Sequence, residues 1–294
     1  MRLDGERESD NVEDRRDEGG GGGGGGGIGF GHVGIGTVVL AVLGGLIFHV
    51  NPLTILGLLG GGGAPVPHSA PAQPRPHTAQ DDPMKVFVSK VLADTEDVWT
   101  RIFQQRGGQY RDPKLVLFRG ATRTGCGQGE SAMGPFYCPA DERVYIDLGF
   151  YQTLKDRLGA PGDFAQAYVI AHEVGHHVQN LLGISAKVDA ARHNADRARS
   201  NALSVRLELQ ADCFAGVWAN HAQQMKQIIE PGDIDEALNA ASQIGDDTLQ
   251  RHAQGTVVPE SFTHGTSAQR VRWFKQGWEG GQVDQCNTFT AQTL

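Results

Sequence analysis

Apolar side chains recur along this chain with three kinds of spacing, and each predicts a different element. Between residues 33 and 59 they run almost without interruption. From Val33 to Val50 only Thr37 and His49 are formally polar, and after Asn51-Pro52 the apolar character resumes as far as Leu59. That length and composition predict one transmembrane helix over 33–59. From Met84 to Gln105 the residues Val88, Val91, Leu92, Val98, Trp99 and Ile102 fall at helical spacing. The same period carries Phe164, Ala167, Tyr168, Ala171, Val174, Val178 and Leu181, with Asp163 as the expected N-cap and Gly183 as the stop. A further buried stripe joins Leu203, Leu207, Ala211, Phe214, Ala215 and Trp218. Asp233 with Glu236 reads as a capping box before Ala237, Leu238, Ala241 and Ile244. Lys114 to Arg119 and Arg143 to Leu148 have strand character, the second just ahead of the helix that starts at Asp163. The expected fold class is α+β, mostly helical with a small sheet, in a domain over 84–294.

Composition divides the rest. Residues 1–18 are charged and poor in large apolar side chains, and Gly19 to Gly27 is unbroken glycine, so 1–32 reads as a disordered tail. Residues 60–83, rich in Gly, Pro and Ala, read as a flexible linker. Arg2, Arg7, Arg15 and Arg16 precede the span, against Arg75 and Lys85 shortly after it. The expectation is therefore a cytoplasmic N-terminus and a single-pass protein of the inner or plasma membrane, its domain on the periplasmic side. Four cysteines, all in the 84–294 domain, agree with an oxidising compartment. The glycine-rich loop between Cys126 and Cys138 favours pairing these two, leaving Cys213 with Cys286, one of three possible connectivities. A net charge of −8 over 294 residues gives no support for nucleic-acid binding, and nothing in the sequence speaks to oligomeric state.

Chemistry concentrates in two clusters. His172-Glu-Val-Gly-His176 places two imidazoles about one turn apart on one helix face, the spacing that suits zinc, with Glu173 beside them as general base. Glu208 and Asp212 are again four apart on a mostly buried stripe. Glu208 reads as the third zinc ligand and Asp212 as the acid orienting a ligand histidine. A salt-bridged helix flank with Arg206 as partner is the plain alternative. His177 and Cys213, each five positions from a ligand, point about 140° away and are not ligands.

The chain resembles the neutral zinc metallopeptidases of bacterial envelopes. The resemblance runs through Arg7 to Arg16, Thr124-Gly-Cys126, Gly134 to Pro139, Tyr145-Ile-Asp147, Tyr168 to Gln179, Glu208 to Trp218 and Ser261 to Ser267. It implies a zincin-like, gluzincin-type fold, a Zn2+ cofactor and a peptide or protein substrate. The order of H-E-x-x-H, E-x-x-A-D and T-H followed by arginine is also similar to the membrane zinc proteases that process prenylated proteins. By that resemblance His264 or Arg270 stabilises the oxyanion, although Gly265 stands where those proteases usually carry proline. Tyr145 and Tyr168 are other candidate donors, and Thr263-His264-Gly265 also reads as a helix-leading loop. The strand over Arg143–Leu148 is expected, by analogy with zinc peptidases, to lie along the cleft and pair with extended substrate. The resulting expectation is a membrane-anchored zinc endopeptidase. A non-catalytic zinc-stabilised envelope binding or assembly factor is the competing class, and a deformylase-like amide hydrolase, whose third ligand would be cysteine, a weaker third.

Overall fold

The computed structural model describes residues 1–18 and 81–294. The expected span over 33–59, the glycine run and all but the end of the linker lie outside the described residues. Among the described residues, no helix is long and apolar enough to cross a membrane.

The chain opens with strand β1 (Val12–Asp14) and, after the undescribed stretch, helix α1 (Asp81–Gln105). There follow β2 (Lys114–Phe118), the hairpin β3 (Ala121–Thr124) and β4 (Gly127–Glu130), β5 (Phe136–Cys138) and β6 (Arg143–Asp147). Helices complete the domain: α2 (Gly149–Asp156), α3 (Asp163–Leu181), α4 (Ile184–His193), α5 (Arg197–Lys226), α6 (Asp233–Gln243), α7 (Asp246–Gln254) and α8 (Ser267–Gly280). A four-stranded sheet has the order β1-β2-β6-β5, with β1, β2 and β6 parallel and β5 antiparallel at the edge. β2 and β6 are nearly continuous buried runs, as parallel strands inside a sheet require. β6 is therefore paired on both sides. The edge strands are β1 and β5, so Arg143–Leu148 has no free edge to pair with a peptide, which corrects that expectation.

The core is built where α1, α3 and α5 meet, around Trp99, Phe164, Phe214 and Trp218. Phe164 stacks on Trp218 with ring centroids 5.8 Å apart, and Trp99 meets Phe214 edge-on at 5.6 Å. Helix α8 lies closest to α5 at two glycines: a Cβ on Gly277 would collide with the Cys213 carbonyl, and one on Gly216 with that of Phe274.

Two N-termini are built differently from the expected caps. Gly162 is the N-cap of α3, and Asp163 is already inside its first turn. Asp233 likewise opens α6 rather than capping it, so no capping box forms there. Glu236 instead reaches across and accepts the Phe164 N–H at 3.1 Å, so α6 caps the neighbouring helix.

The largest correction concerns the first 18 residues, which are folded. β1 pairs with β2 in register Val12↔Leu115, Glu13↔Val116 and Asp14↔Leu117. Arg7 bonds Glu96 at 2.8 Å and Asp97 at 2.7 Å, Ser9 N–H donates to the Ser89 hydroxyl at 2.9 Å, and Arg16 is buried. The charges that make this stretch read as a disordered tail are partners for acids and bases on α1, β2 and β6.

Candidate metal centre

Helix α3 crosses α5 at Gly175, the central glycine of His172-Glu-Val-Gly-His176. A Cβ there would stand 2.9 Å from the Ala211 carbonyl oxygen, so the glycine lets the two helices approach. The approach sets His172 and His176 opposite Glu208. His172 Nε2 lies 3.2 Å from one Glu208 oxygen and His176 Nε2 lies 3.5 Å from the other. Donor atoms of the three residues all fall within 4.8 Å of one another. Zinc ligands at about 2.0–2.1 Å in tetrahedral array stand roughly 3.3 Å apart, so the donor set and its spacing fit zinc.

Each imidazole is oriented from behind. His172 Nδ1 donates to Asp212 at 2.8 Å and His176 Nδ1 donates to Gln179 Oε1 at 2.9 Å, which leaves both Nε2 lone pairs toward Glu208. Asp212 is held in turn by Tyr168 Oη at 2.5 Å and by Arg270, whose Nε and Nη2 each lie 2.9 Å from a carboxylate oxygen. Gln179 is anchored by donating to the Leu207 carbonyl at 2.7 Å. Burial alone would depress the His172 pKa, but Asp212 and Glu208 push it up to about 10 in the metal-free protein. Burial pulls the other way on Asp212, which Arg270 and His172 hold down to about 2, and Glu208 is likewise held well below its usual range by the two histidines. Glu173, buried beside the ligands, is raised by desolvation.

The predicted residues thus come together, though not all in the roles the sequence suggests. Arg270, 2 % exposed, spends its guanidinium on Asp212, Tyr168 and the Ile244 carbonyl, so it braces Asp212. Neither tyrosine hydroxyl is spare, since Tyr168 serves Asp212 and Tyr145 donates to Asp141 at 2.7 Å. Arg206 donates to the Thr288 carbonyl, not to Glu208 or Asp212. His264 does face the centre. Its Nδ1 lies 3.2 Å from Asp246 Oδ1, which leaves Nε2 for the cavity that the ring lines. Asp246 Oδ2 also accepts the backbone N–H groups of Thr263, His264 and Gly265 at 2.7, 2.7 and 3.0 Å. Gly265 has φ +90°, which proline cannot adopt.

Three features escaped the sequence reading. Asp246 orients His264 from 18 positions upstream, and Gln179 supports His176. His177 is fully buried and joins β5 to α3: its Nε2 donates to the Arg111 carbonyl at 2.6 Å and its Nδ1 accepts from Tyr137 Oη at 3.0 Å. Asn180 donates to the same hydroxyl at 3.1 Å. The helical period flags Gln179 as a polar residue in a buried row, but its partner is visible only in the fold.

A cavity of about 310 Å³ opens over these groups. His172, Glu173, His176, Glu208 and His264 form its polar side, Phe136 and Tyr137 of β5 border it, and Phe150, Leu158, Val169 and Leu249 give it an apolar wall. Disulfides Cys126–Cys138 and Cys213–Cys286 are both formed. The first ties β5 to the β3–β4 turn, and the second fixes α5 to the C-terminal segment one residue beyond Asp212.

Comparisons with known proteins show the family of the chain. The family described as "Putative neutral zinc metallopeptidase" matches residues 1–289. The chain is 54% identical over 296 residues to "Uncharacterized protein YpfJ" of Escherichia coli strain K12, covering 98% of this chain and 99% of that one. It is 46% identical over 195 residues to "Uncharacterized protein Rv2575" of Mycobacterium tuberculosis strain H37Rv, covering 63% of this chain and 65% of that one. No solved structure matches. With a donor set built for zinc and a family match over nearly its whole length, the chain belongs to the neutral zinc metallopeptidase family, whose cofactor is Zn2+.

Proposed function

We propose that this protein is an endopeptidase that hydrolyses peptide bonds in the cavity over His172, His176 and Glu208. The observation that carries the reading is the form of the site. Among the described residues the donor cluster has three members and opens onto a cavity of about 310 Å³. Three protein ligands with an open position are the arrangement of catalytic zinc, whereas structural sites are closed by four. Zinc held there supplies Lewis acidity, acidifying a water and polarising the scissile carbonyl.

The chain's own groups do the rest. Glu173, raised by burial, is the base that takes the proton of the attacking water and passes it to the leaving amine. His264, its Nδ1 held by Asp246, donates from Nε2 to the carbonyl oxygen as negative charge develops. Burial would lower its pKa, but the hydrogen bond to Asp246 raises it, which favours the donating form. β5 offers backbone groups to an extended substrate, and the Tyr137–His177–Asn180 bonds hold that edge against α3. The two disulfides support an extracytoplasmic, periplasmic-side location.

The test is cleavage profiling of a diverse peptide library with the zinc-loaded full chain, since a domain beginning at residue 81 would lack β1. Cuts that vanish in Glu173→Gln, with zinc retained, are expected. No cuts by the folded, zinc-loaded parent would move the reading to a zinc-stabilised binding factor.

A further inference from the structure

The cavity over the donor cluster is walled differently at its two ends. Val169 precedes His172 by one turn of α3, while Ser185 and Asp189 come from α4, which follows the C-terminal end of α3, so a path from one wall to the other crosses both histidines. At the Val169 end, Phe150 and Leu158 close the space from α2 and the turn after it, and Leu249 from α7; all four side chains are buried. Such a wall favours a bulky apolar side chain and has no partner for a charged one.

At the other end stands a carboxylate that the catalytic reading does not use. Glu173 and Glu208 are buried or half-buried among the histidines, whereas the Asp189 side chain is 66 % exposed on α4. Arg192, one turn further along the same helix, approaches Asp189 only to 3.9 Å, too far for a hydrogen bond. Nor does the cavity itself supply a cation to answer it. No Lys lines the space, and its one Arg, Arg270, is buried and bonded to Asp212 and Tyr168. We infer that Asp189 is a specificity-determining residue. The polypeptide lying across His172 and His176 carries a bulky apolar side chain in the pocket of Phe150, Leu158, Val169 and Leu249, and a basic side chain, Lys or Arg, toward α4. Acidic side chains at the α4 end are selected against. The inference deepens the peptidase reading and rests on it in requiring that a polypeptide occupy this cavity. The exposure of Asp189 sets the size of the effect. An exposed ion pair is weak and screened by salt, but exchanging a basic for an acidic residue replaces attraction with repulsion, so the exchange changes binding about three- to tenfold at low ionic strength.

The test measures binding apart from turnover, with the zinc-loaded full chain carrying Glu173→Gln. The probes are end-blocked fluorescent peptides that hold one Phe and, at varied distances on either side of it, Lys, Gln or Glu. On one side of Phe, Kd is expected to rise in the order Lys, Gln, Glu, with a spread of about three- to tenfold that closes at high salt. Adding Asp189→Lys, an exchange at an exposed position, is expected to reverse the order with circular dichroism unchanged. The same order in both proteins overturns the role of Asp189, as does a lack of binding by every peptide. Equal binding when Phe is replaced by Asp overturns the apolar pocket. Charge-dependent binding of peptides that the parent chain does not cut would leave this inference standing and remove the peptidase reading; cutting without regard to charge would do the reverse.

Discussion

The two histidines of the donor cluster are supported unequally. Behind His172 stands a carboxylate, Asp212, itself neutralised by Arg270; behind His176 stands the neutral amide of Gln179. Removing either support frees the ring to rotate and its tautomer to change, which typically lowers metal affinity about 10–100-fold. Gln179→Leu is expected to weaken zinc by that range in a chelator competition, with circular dichroism unchanged. An affinity equal to that of the parent would show that helix geometry alone orients His176. Asp212→Ala should cost more, because Arg270 would remain buried beside His172 as an uncompensated charge, and loss of fold is the measured outcome to expect beside loss of metal. His264 sits outside the ligand set, so His264→Ala should leave zinc bound while kcat falls about 10²–10³-fold, the usual effect of losing one oxyanion donor. A fall in zinc content instead would place His264 in the metal's support.

Helices α3 and α5 carry the three clustered donors, and their approach depends on one residue that a helix would otherwise disfavour. Glycine inside a helix costs about 1 kcal/mol relative to alanine, so an isolated glycine in a strong helical pattern already suggests close packing. Gly175→Ala raises intrinsic helicity, yet its methyl would meet the Ala211 carbonyl at 2.9 Å and push Glu208 away from the histidines. The expected outcome is a net destabilisation of about 1–3 kcal/mol by denaturant unfolding, together with weaker zinc binding. A stabilised variant would mean that α5 yields without cost. Elements with long, regular apolar periods were legible in the sequence, as α1, α3, α5 and α6 show, and β2 and β6 stood out as apolar runs. Short elements were not. β1, β3, β4 and β5 are three or four residues long, too few for a period to register. The cap that Glu236 provides to α3 depends on which helices become neighbours, and no local window contains that information.

At the scale of the whole molecule, the cluster of His172, His176 and Glu208 was readable from spacing along single helices, and the disulfide pairing from the glycine-rich loop between Cys126 and Cys138. Domain extent was not, because residues 1–18 have no core-forming pattern of their own and are ordered by charges on α1, β2 and β6. This makes the docking of β1 dependent on pH in a definite direction. The hydrogen bond from Arg16 holds the Asp14 carboxyl well below its usual range, with burial opposing and Lys85 reinforcing. Burial would raise Glu13, but Arg15, Lys114 and Arg143 together keep it low. Carboxylates depressed in the folded state contribute stability that is fully present above their unfolded pKa of about 4 and is lost as pH falls toward the folded values. Hydrogen exchange at residues 10–16 should therefore stay slow, relative to the intrinsic rate, from neutral pH down to about 4 and rise below it. In Asp14→Asn, which cannot ionise, exchange should be faster at neutral pH and nearly flat across the same interval. If the parent and the variant are equally protected at neutral pH, the backbone ladder with β2 alone holds β1, and the charges around it set only its register.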